Sequence, residues 1–263
     1  MTFQPLVPLS GYAGWLFLER TADTQRAAFN ESAPIVRATE SFRDQIGNIK
    51  TAEDLVANRE LLSVALGAFG LDDDIDNKFF IRKVLEDGTI DQDALANRLS
   101  DSRYADLSNA FGFGTQGLTR TSLSFFADEI IDRYEAQQFQ KAVGEQNNDM
   151  RLALNLAPAL DDVVAGNSSN TGQWFSMMGN APLRNMFQTA LGFSSSFAAI
   201  DLDQQLDQFQ ERARSTFGTD NMAELTSPEN QEAIIRLYML RSETNASITN
   251  SSASVALSLL QQI

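Results

Sequence analysis

The sequence offers few residues for catalysis. Its 263 residues include no histidine and no cysteine, which removes the usual general base near neutral pH, the soft metal ligands, thiol nucleophiles and disulfides. Carboxylates, lysines, hydroxyls and tyrosines remain. An enzyme that uses a carboxylate or a tyrosine is therefore one hypothesis, although acidic pairs such as Asp128-Glu129 and Asp161-Asp162 are more typical of a solvated helix face than of a catalytic dyad.

Two segments have spacings that could bind an ion or a phosphate. Asp72-Asp-Asp-Ile-Asp76 alternates acids like the start of a calcium loop, but Asn77 and Lys83 stand where such a loop needs glycine and glutamate. An acidic cap for the helix containing Phe79 is the better interpretation. The glycines of Phe111-Gly-Phe-Gly-Thr-Gln-Gly117 follow no strand and precede no Lys-Ser/Thr pair, so they predict turns. We expect no cofactor and no bound metal.

The charge balance and the N-terminus narrow the classes of partner. The net charge is −15 and the pI is near 4.3, so the surface should repel nucleic acids and anionic membranes. No segment is long and apolar enough for membrane insertion. The first 18 residues lack the basic start and continuous apolar run of a signal peptide. We expect a cytoplasmic protein, or one exported without a cleaved Sec signal.

A short helical segment occurs three times and predicts how the chain is built. The copies are Asn58–Leu71, Ser102–Phe113 and Ala181–Phe193, each with helical spacing of apolar residues, then an aromatic or Leu residue, a glycine and another large apolar residue. This pattern is typical of a helix that ends in a left-handed glycine. The predicted helix-end positions are Phe69, Gly70, Phe111, Gly112, Leu191 and Gly192.

The remaining pattern predicts an all-α fold, because no run shows the two-residue alternation of a strand. We expect an array of short helices with the internal repeat and no sheet. The predicted organisation is an N-terminal segment (1–20), a helical repeat region (21–166), a second helical region packed on the first (167–243) and a C-terminal amphipathic tail (244–263).

Local signals place several helix boundaries. Thr21–Ile46 should be helical, with Pro34 kinking or splitting it, and a second helix should run from Thr51 to Gly70. Asn147 to Val164 and Asp201 to Phe217 should each form a helix. Ser227-Pro228-Glu229 is a strong helix start, from which we expect a helix to Arg241.

The C-terminal tail carries a candidate interaction stripe. Ile248, Val255, Leu259 and Ile263 share one helical face, although the Ser, Thr and Asn residues of Thr244–Ser254 lower its intrinsic helicity. Such a stripe can pack on its own chain or on a partner. Docking on its own chain is the favoured interpretation for the isolated protein.

The segments Leu61–Leu71, Phe79–Gly88, Ala94–Tyr104 and Ala110–Phe113 together resemble domain-of-unknown-function family 1217, an uncharacterised alphaproteobacterial group. The resemblance is close over residues 50 to 114, and Met150–Asn155 and Pro182–Arg184 also fit. It implies a helical fold and a frequent association with flagellar gene clusters, and it supplies no site residues.

Two hypotheses of function follow. The first is a non-enzymatic structural component or assembly and export accessory of the flagellar system, whose partners are other proteins, flagellar components or further copies of itself. The second is a cytosolic helical adaptor or regulator that binds a partner helix in a groove between repeats.

Overall fold

The fold is all-α in the part of the chain that the structure describes. The computed structural model describes residues 3–99, 101–114 and 119–260, with backbone alone for Ser195 and for residues 246–260. Within these ranges the chain forms fourteen α-helices and no strand. The predicted all-α class is therefore confirmed.

The chain divides into two compact units. Unit 1 comprises the residues up to Leu6 together with Thr21–Ala142, and unit 2 comprises Val7–Arg20 together with the residues from Val143 onward. The first eight helices are α1 (Gly11–Asn30), α2 (Ala33–Gln45), α3 (Ala52–Ala57), α4 (Arg59–Gly67), α5 (Lys78–Asp87), α6 (Leu95–Arg98), α7 (Arg103–Phe111) and α8 (Phe126–Gln146). The other six are α9 (Asn148–Gly166), α10 (Asn170–Gly179), α11 (Ala181–Ala190), α12 (Leu202–Phe217), α13 (Met222–Leu225) and α14 (Pro228–Leu260).

Unit 1 is built from short helices that pack on their neighbours in the chain. Helix α4 packs on α2 and α3, and α5 packs on α3, α6 and α7. The ring of Phe111 meets that of Phe126 edge to face, with their centroids 5.1 Å apart, and both side chains are fully buried. Because apolar burial dominates the stability of such folds, these rings form a central part of the unit 1 core.

Unit 2 has an aromatic core around Trp174. Its indole packs against Phe187 and Phe209, and its Nε1 donates to the carbonyl oxygen of Asp220 at 2.8 Å. The buried indole therefore keeps a hydrogen-bond partner. Around this core, α9 contacts α10, α11, α13 and α14, and α11 makes its main contact with α14.

Several predicted boundaries are confirmed because local caps determine them. Asn147 caps α9 by accepting from the backbone N–H groups of Asp149 and Met150, and α12 starts just after Asp201 and ends at Gly218. Pro228 begins α14. Such caps satisfy N–H groups that have no partner within the helix.

Other predictions are wrong in part. The first helix starts at Gly11 and not at Thr21. The kink or split predicted at Pro34 is confirmed as a split, because α1 ends at Asn30 and α2 begins at Ala33 with Pro34 in its first turn. The predicted helix over 51–70 breaks at Asn58, whose side chain accepts from Glu60 and Leu61 N–H groups and so caps α4.

Two further differences concern exposure and length. The side chain of Phe79, whose spacing with the other apolar residues of α5 is typical of a packed face, is 76% exposed. Helix α14 continues to Leu260 and does not end at Arg241. Among the residues that the structure describes, no helix combines the length and apolar character that crossing a membrane would require.

Candidate interaction site

The three repeated segments end in the same backbone conformation. Gly70, Gly112 and Gly192 have φ values of 66°, 68° and 75°, which is the left-handed region. The residues before them, Phe69, Phe111 and Leu191, are buried. Each copy thus turns the chain sharply after a short helix whose last large side chain lies in a core.

Two copies end in a Schellman motif. Leu71 N–H donates to Leu66 O at 2.9 Å, and Phe193 N–H donates to Gln188 O at the same distance. The second copy has the simpler pattern, in which Gly112 N–H donates to Ser108 O at 2.9 Å. These bonds satisfy carbonyl groups that the end of each helix leaves without partners.

Arginine side chains bind the backbone around the end of α11. Arg241 of α14 donates to Ala190 O, and Arg212 of α12 donates to Leu191 O at 3.3 Å. The Arg212 guanidinium also lies over the Phe193 ring, 5.2 Å from its centroid. Cations near the last carbonyls of a helix complement the negative end of its dipole.

A third arginine, Arg184, lies in the first turn of α11. It donates to the Gln205 side chain and, at 3.5 Å, to Met178 O. In the part of the chain that the structure describes, Arg184, Arg212 and Arg241 join none of the ion pairs. Within the described ranges these three cations are therefore bound to neutral oxygens and contact no carboxylate.

A polar network fixes α14 to the start of α9. Tyr238 Oη donates to Asp149 Oδ1 and Ser242 Oγ donates to Asp149 Oδ2, each at 2.6 Å. Burial, followed by the hydrogen bond to Asp149, raises the pKa of Tyr238 above its ordinary value. Tyr238 therefore remains a neutral donor, and the carboxylate holds one face of α14 in register with α9.

A groove runs along α11 to the point where the tail begins. It has a volume of about 380 Å³ and is lined by Ala181, Arg184, Asn185, Gln188, Thr189, Phe193 and Asn245. Asn245 is on α14 and the others belong to α11 and the turn after it. The lining contains amides, a hydroxyl, an aromatic ring and a guanidinium, but no carboxylate.

The charge distribution along the sequence explains this lining. Residues 163–200 include a single charged residue, Arg184, and residues 244–263 include none. The rest of the chain carries all 35 acidic residues. The packing of α14 on α11 brings the two charge-poor segments together at Asn245, so unit 2 has an acid-free surface, defined here as the groove and the adjoining end of α14.

The candidate stripe can be placed only partly. Ile248, Val255 and Leu259 belong to α14, and their side chains lie outside the described residues, as does Ile263 altogether. The helical backbone of Ile248, Val255 and Leu259 continues without interruption from the anchored part of α14.

The acidic segment of unit 1 has separate partners for its carboxylates. Asp72 accepts from Gln138 and Lys141, at 2.8 and 3.0 Å, and Asp74 accepts from Tyr104 at 2.6 Å. Asp76 pairs with Arg59 at 2.6 Å. The interpretation as a helix cap is thus too local, because Asp72 and Asp74 join distant parts of unit 1.

Sequence patterns missed the residues that anchor α14. Tyr238 and Ser242 are 89 and 93 positions from Asp149 in the chain. Arg241 is 51 positions from Ala190. No local motif links such pairs. The signal that could have located the site is the run with almost no charge from 163 to 200, read together with the uncharged end of the chain.

Comparisons with known proteins identify a family and a related structure. The chain resembles a crystal structure of an Agrobacterium tumefaciens protein from a structural genomics programme, with 25% identity, a TM-score of 0.73, and coverage of 92% of this chain and 99% of the other. No curated protein matches it significantly. The model of the family described as "Protein of unknown function (DUF1217)" matches residues 68–231, more than half of the chain. The chain therefore belongs to the DUF1217 family.

Proposed function

We propose that this protein acts through protein–protein contacts, as a non-enzymatic structural component or assembly and export accessory of the flagellar system. The resemblance of its helix-cap segments to a family often associated with flagellar gene clusters motivates the flagellar part. The absence of histidine and cysteine agrees with a role without catalysis.

The single observation that carries the contact role is the construction of α14. Its first half is held by Tyr238, Ser242 and Arg241 through bonds to α9 and α11. The helix then continues from Thr244 to Leu260 without a charged residue. At 1.5 Å per residue its 33 residues span roughly 50 Å. An anchored helix with an uncharged end is suited to binding another protein.

Deletion of the gene tests the flagellar role. We expect slower or absent swimming and fewer or shorter filaments in the deletion strain. Complementation with the full chain should restore both, whereas a chain ending at Asn245 should not. Normal swimming and normal filaments in the deletion strain would contradict the proposal.

A cytosolic adaptor that binds a partner helix is the second candidate. The groove between α11 and Asn245 favours it, because amide and hydroxyl groups line a concave surface beside Phe193. Cell fractionation separates the two candidates. Recovery of the protein with sheared filaments or basal bodies supports the first, and its confinement to the cytosolic fraction supports the second.

A further inference from the structure

We propose that Asn30 and Glu135 form a pH-sensitive contact between the end of α1 and α8, with one hydrogen bond when Glu135 is ionised and two when it is protonated. Both residues belong to unit 1. The Asn30–Glu135 contact involves neither α14 nor the groove, so the inference goes beyond the proposed function and does not depend on it.

Buried polar atoms without partners are concentrated where α1 ends. In the part of the chain that the structure describes, four buried side-chain nitrogen or oxygen atoms have no hydrogen-bond partner. Three of them, Arg26 Nε, Asn30 Oδ1 and Ser32 Oγ, lie between positions 26 and 32. Buried polar groups in folded proteins are nearly always hydrogen-bonded. An acceptor such as Asn30 Oδ1 therefore needs a donor within reach.

The geometry places the carboxyl group of Glu135 against the same amide. Asn30 Nδ2 donates to Glu135 Oε2 at 2.5 Å. The rings of Phe29 and Phe139 meet edge to face, with their centroids 5.9 Å apart, and the Arg26 guanidinium lies over the Phe139 ring, 5.8 Å from its centroid. These contacts hold the end of α1 against the part of α8 that carries Glu135.

Protonation of Glu135 supplies the missing donor. An ionised carboxylate only accepts hydrogen bonds, so it cannot pair with Asn30 Oδ1. A protonated carboxyl group donates through its O–H to Asn30 Oδ1 and accepts from Asn30 Nδ2 through its other oxygen. The change takes up one proton from solvent and breaks no covalent bond. It pairs a buried acceptor and removes a partly buried charge, and both effects favour the protonated form.

The charges around Glu135 favour the same change. They come from Arg26 of α1, Arg43 of α2 and Asp132 of α8 itself. Among the described residues Arg26 joins none of the ion pairs, and Arg43 pairs with Asp128 at 3.0 Å. Burial, followed by the charge of Asp132, raises the pKa of Glu135 above its ordinary value, although Arg43 acts in the opposite direction.

The first measurement is the titration of Glu135 in the full chain, followed by NMR of its side-chain carboxyl carbon in the folded protein and in the urea-unfolded protein. We expect a higher midpoint in the folded protein. The Nδ2 proton signals of Asn30 should shift with the same midpoint, because its amide gains a second bond. In Glu135→Gln the side-chain amide can donate to Asn30 Oδ1 and accept from Asn30 Nδ2 at every pH, so this shift should disappear.

The second measurement is the urea midpoint of unfolding as a function of pH. The folded protein holds the Glu135 proton more tightly than the unfolded chain. The stability from the protonated contact is therefore complete below the unfolded pKa and is lost as the pH rises through the folded pKa. Glu135→Gln should match the unmodified chain in acid and become the more stable of the two as the pH rises.

The matched control is Glu145→Gln, which removes the same charge from an exposed position of the same helix. Its difference from the unmodified chain should stay small at every pH. Three results would overturn the inference. They are a folded midpoint of Glu135 at or below its unfolded midpoint, Asn30 signals that do not move at that midpoint, and equal pH profiles for Glu135→Gln and Glu145→Gln.

Discussion

The helix end at Gly70 in unit 1 and the helix end at Gly192 in unit 2 have the same backbone motif and different electrostatic surroundings. At Gly70, Arg103 donates to the glycine carbonyl and also pairs with Asp101, 2.7 Å from its carboxylate. The Arg103 guanidinium holds the pKa of Asp101 below its usual value. At Gly192, Arg241 and Arg212 donate to carbonyl groups and join no ion pair among the described residues.

The two helix ends show which features the repeat shares and which feature differs between the units. The repeat specifies the turn and the buried residue before it, because both follow from ending a short helix. Arginines from other elements lie beside the turns at Gly70 and Gly192. Whether a carboxylate pairs with the arginine beside the turn does not depend on the repeat. Arg103 beside Gly70 pairs with Asp101, whereas the arginines beside Gly192 join no carboxylate among the described residues. The surface near Gly192 is therefore acid-free on an otherwise acidic chain.

The largest expected losses of stability come from truncating the buried residue before each glycine, a feature that the two helix ends share. Phe69→Ala should lower the free energy of unfolding by about 3–5 kcal/mol and Leu191→Ala by about 2–5 kcal/mol, because both side chains are at least nine-tenths buried. Urea unfolding followed by circular dichroism measures both. A loss below about 1 kcal/mol at either position would show that the two helix ends are not equivalent parts of their cores.

Replacing the arginines tests the feature that differs between the two helix ends, which is the ion pair of Arg103 with Asp101. Arg241→Met should cost about 1–3 kcal/mol, because the fully buried Ala190 loses a charged donor to its carbonyl group. Arg103→Met should cost less, since Gly70 and Asp101 are only partly buried and solvent can replace the donor.

Salt separates the two arginines further. Unfolding at low and high ionic strength should show a salt-dependent loss for Arg103→Met, because an ion pair is screened, and a salt-independent loss for Arg241→Met. If the cost of Arg241→Met falls sharply with salt, then Arg241 has a carboxylate partner in solution, and the contrast between the two helix ends disappears.

Replacing the two glycines with alanine should give losses of stability that differ by a smaller amount. Gly70→Ala and Gly192→Ala each place a Cβ at positive φ and should cost on the order of 1 kcal/mol. The loss should be larger at Gly192, where the Cβ would lie 3.0 Å from Arg241 Nη1, than at Gly70, where the nearest atom is 3.4 Å away.

Two other glycines are matched controls for this pair. Gly218 has φ 81° and no atom within 4 Å of an added Cβ, so Gly218→Ala reports backbone strain alone. Gly179 ends α10 without positive φ and has equally open surroundings, so Gly179→Ala should be close to neutral. Chemical unfolding of the four variants gives the ranking, and equal losses at Gly192 and Gly218 would remove any role for Arg241.

These cases show which parts of the structure follow from the sequence. The all-α class could be predicted because the spacing of apolar residues along the chain favours helices. The helix starts at Asn147, Asp201 and Pro228 could be predicted because one or two neighbouring residues determine them. The conformation at Gly70 and Gly192 could be predicted for the same reason. The break at Asn58 was also local, but an apolar pattern that continues across it obscured the cap.

Tertiary contacts decided the rest. Helix α14 continues past Arg241 through a segment of low intrinsic helicity, which a local pattern predicts as the end of the helix. Phe79 matches a packed face by spacing, yet no local rule shows that its face of α5 is exposed. The contacts of Arg241 with Ala190 and of Tyr238 with Asp149 join residues far apart in the chain, so the candidate site needed the structure.

The smallest effect concerns alkaline pH and compares one tyrosine from each unit. In unit 1 Tyr104 donates to Asp74, and burial raises its pKa to about 12. In unit 2 the more deeply buried Tyr238 donates to Asp149, and its pKa is raised as well. Both groups hold the proton more tightly when folded, so their contribution is complete below pH 10, the ordinary tyrosine value, and is lost as the pH rises above it.

Between pH 10 and 11 the Tyr238 contribution should fall by about 1 kcal/mol, from the linkage slope of about 1.4 kcal/mol per pH unit. The contribution of Tyr104 should fall less, because partial exposure screens it. Urea unfolding against pH measures the slope in the unmodified chain and in Tyr104→Phe and Tyr238→Phe. Tyr238→Phe should flatten the slope more than Tyr104→Phe. A larger flattening by Tyr104→Phe would mean that the anchor of α14 is more open to solvent than the polar contact in unit 1, and it would weaken the case for α14 as a firmly held interaction helix.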